Sequence, residues 1–110
     1  MLVKRECALA IMKCIIHNYL NHSINRNQAV EQLVYSVATD YVVNVDVNSE
    51  SDSFKIVDCY YAIKHLTHDS YKTTDEEIRY FNECLNGKRI YNVDEKNDML
   101  RDYYAVHHDM

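Results

Sequence analysis

The chain carries no proline and a single glycine, Gly87, in 110 residues. That scarcity constrains the fold more than any motif does, because tight hairpins and β-rich architectures draw on those two residues for their turns. Helices need neither. Turns must instead come from Asn, Asp and Ser, which bond nearby backbone through their side chains and tolerate left-handed conformations. The expectation is an all-α fold, a bundle of about five helices forming one domain over residues 1–110.

Hydrophobic spacing places the helices. From Leu2 to Leu20, Val3, Cys7, Ala8, Ile11, Cys14, Ile15 and Tyr19 share one broad face that Met12, Ile16 and Leu20 widen, so this helix is expected to be buried on two sides. Asn25 or Asn27 can cap the next helix. The stretch 27–48 is the longest run of apolar positions, and Val30, Leu33, Val34, Val37, Tyr41 and Val45 recur at spacings of three and four. It predicts a helix to about Tyr41. Beyond that, Val43, Val45 and Val47 alternate with Asn44 and Asp46, the period of a half-buried strand.

Two accounts of the middle of the chain follow. In one, a third helix runs from Phe54 to about His68, with Phe54, Val57 and Tyr61, and Ile56, Tyr60 and Ile63, at helical spacing. In the other, YVVNVDVN pairs with FKIVDCYY as a hairpin at about 41–61, making the fold α+β. The intervening SESDS lacks Gly, and the second segment continues into AIKHLTH without a break, so the helix is preferred. Thr73 or Thr74 with Glu76 or Glu77 forms a capping box for a fourth helix, whose stripe is Ile78, Phe81 and Leu85 and whose stop is Gly87. A fifth, from about Asp94 to His107, uses Met99, Leu100, Tyr103 and Val106, with Asn92 or Asp94 at its start.

Composition narrows the function classes. The net charge is -5, and residues 40–58 hold five acids (Asp40, Asp46, Glu50, Asp52, Asp58) against one base, Lys55, a local charge of -4. Such a balance disfavours direct DNA binding, which relies on Lys and Arg to neutralise phosphates. It favours a protein partner with a basic, nucleic-acid-binding type of surface, or serves only to keep the chain soluble. Ten tyrosines and no tryptophan add large contact area with polar tips, although AT-rich codon usage would enrich Tyr equally. A helix cannot bury both members of an adjacent pair on one narrow face, so some of Tyr60, Tyr61, Tyr103 and Tyr104 are expected at the surface. The expected partner-binding residues are Tyr41, Asp46, Glu50, Asp52, Tyr60 and Tyr61.

Cys7, Cys14, Cys59 and Cys84 form no CxxC pair and no zinc-like spacing, and all four are expected to be reduced core or near-core residues of a cytoplasmic protein. No stretch approaches 18 uncharged apolar residues, and Glu6 and Lys13 interrupt the apolar run that would otherwise imitate a signal peptide. No membrane partner, no cofactor and no metal are expected. His65, His68 and Asp69 are the nearest approach to a ligand set, and at a helix C-terminus such histidines equally complement the dipole.

At the end of the chain, MLRDYYAVHHDM sets Arg101, followed by Asp102, ahead of His107 or His108 with five or six residues between the Arg and the His. An Arg, a polar neighbour and a following His resemble the catalytic motif of HEPN-type ribonucleases, which are small helical bundles. The resemblance covers about eight residues. It implies that Arg101 and His107 act together on a scissile phosphate across a dimer interface, with Arg stabilising charge and His moving a proton. The other expectation, favoured by acidity and by the lack of a phosphate loop or nucleophile motif, is a non-enzymatic interaction module. Small acidic, Tyr-rich chains of this kind look like phage or mobile-element products, including inhibitors such as anti-CRISPR proteins, and immunity proteins. A homodimer is compatible with either.

Overall fold

The structure, a computed structural model, describes residues 5–38, Val42 and 56–107, with Arg5 and the last six as backbone only. Five α-helices and one 3-10 turn account for it: α1 (Arg5–Leu20), α2 (Arg26–Ser36), α3 (Ile56–Lys64), the 3-10 turn His65–Thr67, α4 (Asp75–Leu85) and α5 (Val93–His107). No strand occurs among the described residues, and the fold is an all-α bundle. The second arm of the alternative hairpin is helical from residue 56 onward, and most of the first arm lies outside the described residues.

α1 packs on α2, α3 and α4; α2 packs on α3 and the 3-10 turn; α3 packs on α4, and α5 on α4. The buried stripe of α1 is Ala8, Met12, Ile15 and Ile16, narrower than its sequence suggests. Cys7 and Cys14 do share a face seven residues apart, but that face is exposed, which corrects their assignment to the core. Cys59 is buried and Cys84 half-buried, and all four thiols are free.

Asn25 caps α2 through a reciprocal box: its side chain accepts from the Gln28 N–H at 2.8 Å, and the Gln28 side chain accepts from the Asn25 N–H at 2.9 Å. The helix then stops at Ser36, five residues earlier than its periodicity predicts. Val37 takes an extended conformation (φ -134°, ψ 122°) and is buried at 1% exposure, whereas Val34, still within the helix, is 54% exposed. Val42 returns to helical geometry, its N–H on the Ala38 carbonyl at 3.1 Å, and is fully buried.

α3 and its 3-10 extension bury Ile56, Cys59, Tyr60, Ala62, Ile63 and Leu66. α4 starts where Thr74 accepts the Glu77 N–H at 3.2 Å, and Asp75, Glu76 and Glu77 in its first turn complement the helix dipole. It ends at Gly87 (φ +74°), where the Gly87 N–H meets the Cys84 carbonyl and the Lys88 N–H the Glu83 carbonyl, a Schellman closure. α5 begins at Asn92, whose side chain accepts the Glu95 N–H at 2.9 Å.

Two polar fastenings join elements that apolar packing alone would leave free to slide. The Arg26 guanidinium donates to the Leu66 carbonyl (2.9 Å), the Thr73 carbonyl (2.8 Å) and the Asp75 carboxylate (2.8 Å), and the Tyr19 hydroxyl donates to that same carboxylate. One side chain of α2 thereby holds the 3-10 turn, the loop after it and the start of α4. At the other end, the Tyr80 hydroxyl donates to the Asn92 carbonyl (3.1 Å) and accepts the Asn92 N–H (3.0 Å), fixing the α4–α5 connection.

Candidate functional site

Helical spacing puts Asp58, Tyr61, Ala62 and His65 on one stripe of α3 and its 3-10 extension, at positions i, i+3, i+4 and i+7. That stripe forms one wall of a pocket of about 220 Å³, completed by Tyr71 and Thr73 of the following loop, Glu77 of α4 and Lys96 of α5. Four successive segments of the chain therefore meet at one place.

Each wall has a distinct chemistry. The rings of Tyr61, His65 and Tyr71 adjoin in series, with centroids 5.5 Å apart for the first pair and 6.2 Å for the second. Burial, with the neighbouring His68 and Lys64, holds the His65 imidazole below its ordinary pKa. Lys96 and Glu77 pair at 3.4 Å with side chains only 12% and 13% exposed. The same ammonium lies 5.2 Å from the Phe81 ring centroid and 6.0 Å from that of Tyr91. Asp58 accepts a hydrogen bond from the Tyr91 hydroxyl and has no cationic partner among the described residues. Tyr91 is stacked on Phe81, and burial together with the Asp58 carboxylate raises its hydroxyl pKa far above the ordinary value.

Thr73 is the anomaly. It is 3% exposed, its carbonyl is held by Arg26 and its N–H by the His65 carbonyl at 3.0 Å, yet its buried side-chain hydroxyl has no hydrogen-bond partner among the described residues. A buried hydroxyl without a partner costs about 1–3 kcal/mol.

The sequence-derived candidates fall differently. Tyr41, Asp46, Glu50 and Asp52 lie outside the described residues. Tyr60 is 1% exposed, its hydroxyl 3.4 Å from the Val37 carbonyl, so it belongs to the core and not to a contact surface. Its neighbour Tyr61 is partly exposed and lines the pocket, as adjacent residues on a helix require. His68 turns away from ligand duty: its Nδ1 accepts the Ser70 and Tyr71 N–H groups at 3.1 and 2.9 Å, closing the loop that presents Tyr71. Among the described residues no three His, Cys, Asp or Glu side chains come together as a metal site. Arg101 is 75% exposed and pairs with Asp98 at 3.2 Å; the His107 side chain lies outside the described set. Asp58, Tyr71, Thr73, Glu77 and Lys96 were not read from the sequence as a site. The stripe on α3 was legible by period, but the Glu77–Lys96 pairing across two helices carries no sequence signal.

Compared with protein-family models, with curated proteins and with solved structures, the chain matches none.

Proposed function

We propose that the chain is a small non-enzymatic protein-interaction module, of the kind phages and other mobile elements encode as inhibitors of host or defence proteins, anti-CRISPR proteins among them, or as immunity proteins. The observation that supports this most is the end of α2. Val34 is 54% exposed and Tyr35 94% exposed, adjacent large apolar side chains on a helix that leads directly into the acidic stretch 40–58. Exposed aromatics concentrate at contact surfaces, and a nearby charge of one sign steers a partner of the other. The partner of this chemistry is a protein with a basic surface such as one that holds nucleic acid.

Charge reversal tests it. Changing Asp46, Glu50 and Asp52 together to Lys should slow association with a captured partner at least tenfold at low salt and flatten its salt dependence, because opposite-charge steering accelerates encounter by about 10- to 1000-fold. Tyr35→Ser should speed dissociation. An unchanged association rate after charge reversal together with an unchanged dissociation rate for Tyr35→Ser would refute the interaction surface. No helix among the described residues is long and apolar enough to cross a membrane.

A further inference from the structure

We infer that the pocket between α3, the 68–74 loop and the starts of α4 and α5 binds an alkylammonium group, a protonated primary amine on a short carbon chain. The inference does not depend on the interaction role proposed above.

Charge selects the sign of the ligand. Asp58, Glu77 and Lys96 line the pocket, and Lys96 is matched by Glu77 at 3.4 Å, which leaves the Asp58 carboxylate in excess. An anion would face that carboxylate with the one ammonium already engaged. A cation would gain it. Lys64 stands 5.8 Å from the Tyr61 ring centroid but does not line the pocket.

Shape and lining select the class. Tyr61, His65 and Tyr71 supply aromatic walls, and Ala62 an apolar one, against which a carbon chain and a cation can both lie. The volume of about 220 Å³ is below the roughly 300–1,000 Å³ of drug-sized sites, and suits a group the size of a lysyl side chain. Thr73, 3% exposed, closes the floor of the pocket beside them. Tyr71, 67% exposed and held by the His68 turn, forms the rim through which a ligand enters.

The same chemistry has two sources, a free alkylamine and a lysyl side chain on a protein. The full chain titrated with n-butylammonium chloride, followed by amide chemical shifts, should show saturable changes at residues 58–77 with a Kd on the order of 1 mM, the range open to five heavy atoms. Neutral n-butanol should bind at least tenfold more weakly. N-acetyl-lysine N-methylamide with and without Nζ-acetylation supplies the second arm: binding by the charged form alone assigns a lysyl source, and binding by butylammonium alone assigns a free amine. Asp58→Asn should weaken butylammonium at least tenfold. Tyr71→Ala, a change at an exposed ring, should weaken it severalfold with the fold intact, which keeps the test open if the Asp58 variant unfolds. Equal binding of butanol and butylammonium, no saturable shift, or retention of binding in both variants overturns the site.

Discussion

Removing the guanidinium of Arg26 tests a side chain that joins three segments of the bundle. Arg26→Met retains most of the aliphatic stem and deletes three hydrogen bonds, to the carbonyls of Leu66 and Thr73 and to the Asp75 carboxylate. Each bond of this charge-assisted type contributes about 1.5–3 kcal/mol when sheltered. Arg26 is 32% exposed and Asp75 46% exposed, so water replaces part of what is lost, and the ion pair itself is screened. Halving the sum for that exposure gives a loss of about 2–4 kcal/mol. For 110 residues the unfolding entropy makes each kcal/mol worth about 4 °C, so Tm should fall by about 8–16 °C. Urea unfolding followed by far-UV circular dichroism measures it, since urea leaves charge interactions unscreened. Arg26→Lys should recover less than half, because one ammonium cannot reach three acceptors in the geometry of a planar fork. A loss below about 0.5 kcal/mol for Arg26→Met, the size of an ordinary surface change, would refute the claim that Arg26 fastens these elements.

Four further outcomes follow from particular contacts. Tyr80→Phe should destabilise by about 1–2 kcal/mol in the same urea assay, since both backbone groups of Asn92 lose the buried hydroxyl that serves them. Gly87→Ala should cost about 1 kcal/mol through the left-handed φ of +74° alone, because a Cβ there meets open space; a loss three times larger would point to a clash that the structure does not contain. Stability should fall at alkaline pH: burial and the bond to Asp75 push the Tyr19 hydroxyl up to about 12, and burial raises Tyr80 and Tyr91, so folding favours the protonated forms. Their contribution is complete below the unfolded value of about 10 and is lost as pH climbs through the folded values. Tyrosinate absorbance at 295 nm should accordingly rise in step with unfolding for these three residues; full ionisation with the helical signal intact would contradict their burial. On the acid side His65 acts in the opposite sense, its lowered pKa withdrawing stability as pH drops below about 6.5.

Local chemistry written along the chain decided its elements. Without proline and with one glycine the chain became helical, and the starts at Asn25, Thr74 and Asn92 and the stop at Gly87 are where short polar side chains and a left-handed glycine had to act. These are interactions within four or five residues, so sequence carries them. Which face each helix buries was less legible. Cys7 and Cys14 repeat at seven and yet face outward, and Tyr60 lies inside while Tyr61 lies beside a pocket, because a period defines a stripe without saying which neighbour covers it.

Tertiary structure alone decided the site and the end of α2. The apolar period runs on past Ser36, yet the chain leaves the helix there, with Val37 extended and buried and Val34 exposed. Asp58, His65, Thr73, Glu77 and Lys96 come from four segments, none of which encodes the presence of the others. Their meeting depends on crossing helices and on the Arg26 fastening that sets the 68–74 loop against α4. Secondary structure follows from bonds the chain makes with itself nearby, whereas a pocket is the space left between helices once they pack, and that space exists only in the assembled bundle.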